Sequence, residues 1–144
     1  MSAEENKAII NRLFEEIWKK KNLKAADELV AMDAVDHNPM APGLPQGLEG
    51  SKKGWSMVHS AFPDIDVTIK DQIADEGKVV SRATMQGIHK GEFMGIPPTG
   101  KKVTAEVIDI VRIEEGKIVE RWGLVDMLDV MQQLGIVPPP PPPQ

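Results

Sequence analysis

The chain has 144 residues, of which 41% are hydrophobic and 27% charged, with a net charge of −5. That length and balance fit one soluble globular domain with a single core. The acidic charge, with both signs interspersed, argues against a nucleic-acid or anionic-membrane partner. The absence of cysteine excludes disulfides, thiolate metal sites and cysteine nucleophiles. Without an apolar leader or a run approaching the ~20 residues that cross a bilayer, a cytoplasmic location is expected.

Three helices are predicted in the first half of the chain. Ser2 and Glu5 form a capping-box pattern that begins the first helix, whose apolar residues repeat at helical spacing as far as Ile17. A short second helix is expected over residues 23–31 and a third over residues 51–62. The segment between them, rich in proline and glycine, is predicted to be a loop.

From Pro63 the hydrophobic period changes from helical to two, which is typical of half-buried strands. Strands are predicted over residues 64–70, 78–89, 103–113 and 117–125, and a last short helix over 127–134. Helices followed by an antiparallel meander define an α+β domain, here residues 1–137, with a curved sheet wrapped around the N-terminal helices. The proline run in residues 138–144 is predicted to be a disordered tail.

The segment from Gly91 to Asp126 carries the strongest chemical signal. Strand alternation predicts that Trp122 and Asp126 face the same way. A carboxyl group beside an indole on an apolar face has its pKa raised, which suits it to proton transfer. The alternative for Asp126 is the N-cap of the helix over residues 127–134, a position that Asp favours.

Four motifs support a family resemblance that extends to Gly135. They are Asp36-His37-Asn38-Pro39, residues 87–93, residues 94–101, and residues 116–122 together with Asp126. With the order of elements, they resemble the SnoaL-like polyketide cyclases, members of the nuclear transport factor 2-like superfamily of cone-shaped α+β barrels. The resemblance implies ring closure by intramolecular aldol condensation without metal or cofactor, with Asp126 as the acid/base.

Two further catalytic candidates accompany Asp126. In the family that this chain resembles, the His at the position of His37 often reaches the pocket; the alternative is a local hydrogen bond in a turn, and Asp36 would orient the ring. Arg112 stands where a helper His is often found. If it faces inward, Arg112 could hold a carboxylate or an oxyanion, or pair with Asp126. Asp109 points the other way, which leaves an interface, a paired base or, with the faces inverted, the pocket.

Five residues are candidates for substrate binding. Trp122 either lines a cavity or fills the core. Phe93 and Met94 form a lip over a pocket or pack the barrel end, stiffened by the prolines that follow. Trp55 lies on the apolar stripe of the third helix. His89 either contacts the ligand or ties down the adjacent loop. An apolar small-molecule ligand is expected, because methionines are plentiful.

Other functions compete with the cyclase interpretation. The three histidines lack metal-ligand spacing, so no metal site is expected. The chain has no Tyr, which ketosteroid isomerases of this superfamily use, and it lacks the Arg and Asp two apart on one strand of the epoxide hydrolases. The alternatives are a non-catalytic binding or structural dimer, and a hydrolase, dehydratase or isomerase that uses the same Asp. A homodimer is expected from the open sheet.

Overall fold

The computed structural model describes residues 2–139 and 141–143. The predicted capping box is present, because Glu5 donates its backbone N–H to Ser2 Oγ at 3.1 Å and accepts from the Ser2 N–H at 3.2 Å. Helix α1 (Ala3–Leu13) continues into a π-helical segment, Phe14–Lys19. The wider π turn buries the side chains of Ile17 and Trp18 under the sheet.

The remaining helices are short except for one. A 3₁₀ turn (Leu23–Ala25) leads into α2 (Ala26–Leu29), α3 spans Gly47–Ala61, and α4 spans Met127–Gln133. Helix α3 begins four residues before the predicted start, because its first-turn glycines serve close packing and not a loop. A Cβ on Gly50 would lie 2.7 Å from the carbonyl carbon of Pro45 and closer still to its oxygen.

Five strands form one sheet in the order β1-β5-β4-β3-β2. They are β1 (Val30–Asp36), β2 (Asp66–Asp75), β3 (Lys78–Ile88), β4 (Lys102–Glu114) and β5 (Lys117–Val125). The last four strands form the predicted antiparallel meander, and the α+β architecture is confirmed. Strand β1 is a correction, since helix and loop were predicted there. It pairs in parallel with β5, a partner so distant in sequence that local patterning carries no trace of it.

Strand β4 shows how the two faces of the sheet differ. Val107 and Val111 are buried on the concave face, which α1 and α3 cover, and Asp109 lies between them. Ile108, Ile110 and Arg112 project from the convex face. The sequence left this assignment open, and the structure places Asp109 inside and Arg112 outside.

The convex face carries an exposed apolar patch, hereafter the convex patch. Its members are Ile73, Ile108, Ile110 and Leu124, and Leu124 is 70% exposed. No helix among residues 2–139 and 141–143 is long and apolar enough to span a bilayer. The prediction of a disordered tail falls partly on residues 140 and 144, which lie outside the described residues.

Candidate active site

A cavity of about 120 Å³, here the main cavity, lies between the concave face of the sheet and the helices. Its wall is largely apolar, with Trp18 and Trp55 on the helical side and Val107 and Val111 on the sheet. Its mouth lies at the loop after β1, where several lining residues are exposed. The polar lining residues are Asp36, Asn38, Gln46, Ser51, Asp109 and Arg121.

Asp109 is the more deeply buried of the two acids that line this cavity. Its side chain is only 13% exposed, and burial among apolar groups raises the pKa of its carboxyl. The nearby Arg121 guanidinium acts in the opposite direction, while the negative charge of Asp36 adds to the increase. Within the described residues, Oδ1 of Asp109 is buried without a hydrogen-bond partner. A buried carboxyl group of raised pKa with one unoccupied oxygen can both accept and donate a proton.

Arg121 links the acid to the first strand. Its Nε lies 3.7 Å from Asp109 Oδ2, and its Nη1 donates to Asp36 at 3.2 Å to Oδ1 and 3.4 Å to Oδ2. The same Nη1 donates to the backbone oxygen of Asn38 at 3.3 Å. Two carboxylates from β1 and β4 therefore share one cation from β5, the strand between them.

The loop that follows β1 is fixed by hydrogen bonds on both sides. Gln46 accepts from the Asp36 N–H at 2.7 Å and donates to the Asp36 carbonyl oxygen at 3.1 Å. Asn38 Oδ1 accepts from the Gly123 N–H at 3.0 Å. These contacts hold Asp36 at the cavity wall although it ends an edge strand.

A second cavity of about 60 Å³ adjoins the first and is lined almost entirely by apolar residues, among them Phe62, Phe93 and Val130. Met40, Met85 and Val125 line both cavities and form the constriction between them. Methionine side chains are unbranched and adaptable, so small rotations there would change how far the two spaces connect.

Asp126 lies outside both cavities. Its side chain is exposed and accepts from the Asp129 N–H at 3.2 Å, which makes it the N-cap of α4. Strand β5 ends at Val125, so the alternation that placed Asp126 beside Trp122 does not reach it. Of the two interpretations drawn from the sequence, the geometry is that of the helix cap.

The structure does bring His37, Arg112 and Trp122 together, but on the convex face. His37 stacks on Trp122 with ring centroids 4.9 Å apart and planes within 4°. The Glu120 carboxylate is hydrogen-bonded to His37 Nε2 at 2.7 Å and accepts from Arg112 Nε at 2.9 Å. Arg112 also pairs with Glu114. The His37 ring is thus oriented by Glu120 and not by Asp36, and these three residues do not line either cavity.

Of the four other residues predicted to contact a substrate, two line a cavity and two do not. Trp55 lines the main cavity and Phe93 the second one. Met94 is exposed in a tight turn and lines neither. His89 is fully buried, and its Nδ1 accepts from the Thr99 N–H at 3.2 Å and lies 3.0 Å from Thr99 Oγ1, so it ties down the adjacent loop.

The described residues contain no group of three His, Asp or Glu side chains placed to hold a metal ion. Two lining residues, Asp36 and Arg121, were not among the candidates drawn from the sequence, apart from the suggestion that Asp36 orients His37. For Asp109 the sequence allowed three surroundings: an interface, a pairing with a base, or the pocket. An apolar cavity with one shielded carboxyl group and a neighbouring guanidinium is an arrangement that can perform acid/base chemistry on a small molecule.

Comparison with known proteins identifies the family to which this chain belongs. The model of the SnoaL-like polyketide cyclase family matches residues 8–134, and the chain belongs to that family. The aklanonic acid methyl ester cyclase DnrD of Streptomyces peucetius is 28% identical over 103 residues, which cover 71% of this chain and 68% of that protein.

Solved structures agree with the family assignment. IdmH of Streptomyces antibioticus, a candidate polyketide cyclase, is 33% identical with a TM-score of 0.78, covering 90% of this chain and 98% of IdmH. AclR of Streptomyces galilaeus, a candidate hydroxylase, is 29% identical with a TM-score of 0.82, covering 97% of this chain and 87% of AclR. The fold therefore carries more than one assigned role, and the reaction has to be argued from the site.

Proposed function

We propose that this protein catalyses aldol-type ring closure of an apolar, carbonyl-containing small molecule, with Asp109 as the acid/base and without a cofactor. The family supports a cyclase, and relatives such as DnrD carry the name aklanonic acid methyl ester cyclase. The observation that carries the proposal is the Asp109 carboxyl group, which is shielded in an apolar cavity and whose Oδ1 has no hydrogen-bond partner among the described residues.

The proposed reaction needs only two proton transfers, and one carboxyl group supplies both. The Asp109 carboxylate removes a proton from the carbon beside a carbonyl group. The resulting enolate carbon bonds to a second carbonyl carbon of the same molecule, and the new alkoxide takes the proton back from Asp109. A carboxyl group of raised pKa is a stronger base than an exposed one, which favours the first step.

The cavity suggests how the substrate binds. Arg121 and Asn38 stand at the polar end beside Asp109, where a carbonyl oxygen would meet them. The apolar remainder would extend past Met85 towards Phe93 and the second cavity. Trp55 and Phe93 thus keep their proposed role in substrate binding, whereas His37, Arg112, Trp122, Met94 and His89 have none in this proposal.

The test compares two carboxylates in one assay. Asp109→Asn should lower kcat for cyclisation of aklanonic acid methyl ester by about 10²–10⁴-fold, the usual contribution of general acid/base catalysis. Asp126→Asn is the matched control and should retain wild-type kcat, because Asn also caps helices. Loss of activity in Asp126→Asn with Asp109→Asn unaffected would return the role to Asp126.

The same assay separates the alternative functions. A non-catalytic binding protein would bind the ester without converting it in either variant or in the wild type. A dehydratase using Asp109 would give a product lighter than the substrate by one water, and a hydrolase would split the methyl ester into the free acid and methanol. Mass spectrometry detects both changes, whereas aldol closure leaves the mass unchanged.

For the assembly, we propose a homodimer through the convex patch. The apolar centre is bordered by groups of both signs, such as Arg82 paired with Asp71, and Glu106, which suits contact with a second copy of the same surface. Leu124→Lys should convert a dimer into a monomer in sedimentation velocity. Leu128→Lys, at a residue that is also well exposed but lies on α4, should leave the dimer intact, and a wild-type monomer would refute the proposal.

A further inference from the structure

The space occupied by the Arg121 guanidinium exists because residue 123 has no side chain. Arg121 and Gly123 are two apart on β5 and so point to the same face of the sheet. Gly123 pairs directly with Asp109 across the ladder between β5 and β4. A Cβ built on Gly123 would lie 2.5 Å from Cζ of Arg121 and closer still to Nη2.

This glycine has no local conformational reason to be a glycine. Its φ lies outside the positive range in which L-residues are strained, unlike that of seven other glycines among the described residues. Its N–H donates to Asn38 Oδ1 at 3.0 Å, a bond that any residue except proline could make. The three atoms nearest to a methyl group at this position all belong to the Arg121 guanidinium.

From this geometry we propose that Gly123 is a positioning residue for the acid/base site. It lets Arg121 fold back along its own strand and lie against both Asp109 and Asp36. Any larger side chain would push the guanidinium away from Asp109, and Arg121 is the one cation among the described residues that line the cavity. Gly123 thereby sets how readily Asp109 ionises, although it carries no functional group.

The charged groups that face Asp109 are few. Arg121 of β5 and Asp36 of β1 are the charged residues that line the main cavity with it, and none of the described lining residues on α1, α3 or β3 is charged. Displacing Arg121 would therefore leave Asp109 facing the carboxylate of Asp36 without a cation between them. The loss of the cation and the unscreened negative charge of Asp36 both favour the protonated form of Asp109.

This inference rests on the proposed role of Asp109, but its test needs no substrate. The carboxyl carbons of ¹³C-labelled aspartate are titrated by NMR, and the Asp109 signal is assigned by its loss in Asp109→Asn. Gly123→Ala should shift the midpoint of the Asp109 titration upward by roughly 0.5–1.5 pH units, within the usual effect of a neighbouring charge. An unchanged midpoint overturns the inference, whatever the reaction turns out to be.

A double-mutant cycle shows whether the effect passes through Arg121. In an Arg121→Ala background the Cβ at residue 123 meets no guanidinium, so adding Gly123→Ala should leave the Asp109 midpoint where Arg121→Ala put it. An equal shift in both backgrounds would mean that the methyl group acts directly and would refute the positioning role. If Gly123→Ala does not fold, the double variant Arg121→Ala/Gly123→Ala carries the test: it should fold because the added Cβ no longer meets a guanidinium, and failure of the double variant to fold while Arg121→Ala alone folds would overturn the inference.

The consequence for turnover separates this inference from the proposed function. If Asp109 is the base, Gly123→Ala should move the acidic limb of the kcat–pH profile upward together with the NMR midpoint. If Asp109→Asn proves fully active, the proposed function fails, while the NMR cycle still decides the inference on Gly123.

Discussion

His37 stacks face to face on Trp122 and directs Nε2 to Glu120 at 2.7 Å, all on the convex side of the sheet. Lys78 Nζ lies 5.5 Å from the Trp122 ring centroid, and Arg112 completes the pairing of Glu120. The group fastens the end of β1 to β5 from the side opposite the cavity. These contacts help to hold the edge strand that carries Asp36.

Glu120 makes this fastening sensitive to pH. Hydrogen bonds from His37 first and from Arg112 second hold the pKa of Glu120 below its usual range. A depressed pKa contributes stability above the pKa of the unfolded chain, near 4.3, and that stability is lost as pH falls through the folded-state value.

We therefore expect Glu120→Gln to lower the melting temperature at pH 6–8 and to converge with the wild type under acidic conditions. Thermal unfolding followed by circular dichroism from pH 3 to 8 checks this. Glu114→Gln, which removes only the outer partner of Arg112, serves as a control and should have a smaller effect.

Asp109 should lower the stability of the folded protein at neutral pH. Its raised folded-state pKa means that the folded chain holds a proton that the unfolded chain releases above about pH 4, so stability falls from there up to the folded-state value. Asp109→Asn should raise the melting temperature at pH 7 by about 2–4 °C for each ~1 kcal/mol gained. A scan of melting temperature against pH should show the gain vanishing near pH 4; a constant gain would contradict this origin.

Asp126 should matter for stability and not for turnover. Asp126→Ala removes the acceptor of the Asp129 N–H and should cost about 1 kcal/mol in the free energy of unfolding. Urea denaturation measures the loss. Asp126→Asn should restore most of it, and equal losses in the two variants would argue against a capping role.

Met85 should control access to the second cavity. Met85→Ala removes side-chain bulk from the constriction and should tighten binding of the neutral apolar dye N-phenyl-1-naphthylamine roughly five-fold, the effect of about 1 kcal/mol of added apolar contact. Fluorescence titration gives the affinity. Met57→Ala is the control because Met57 is exposed on α3 and lines neither cavity; equal affinities in the two variants would contradict the constriction.

Periodicity predicted the meander of β2–β5 because apolar and polar residues alternate clearly along each strand and each strand pairs with the next one in the chain. The same alternation in β4 also indicates its buried face. The odd positions from 103 to 113 are apolar except for Asp109, whereas the even positions include Thr104, Glu106 and Arg112. Counting polarity by face singles out Asp109 as the one charge on the apolar side.

Other parts of the site leave no local signature. In the sequence Arg121 is indistinguishable from an ordinary surface cation, and only the structure shows its guanidinium lying over Gly123. Asp36 reaches the cavity only because β1 pairs with β5, and that pairing depends on tertiary contacts. A shift in register between the pairs Arg112–Glu120 and Ile113–Ile118 also places Ile118 on the concave face, whereas simple alternation along β5 predicts that it shares a face with Trp122.

The parallel pairing of β1 with β5 has a kinetic consequence. Asp36 and Arg121 are 85 residues apart in the chain, whereas the hairpins of the meander join near neighbours. Closing so long a loop has a large entropic cost, and contacts of this kind slow folding. We expect the meander to form early and the edge strand to dock late, so that the charged wall around Asp109 is assembled only in the last step of folding.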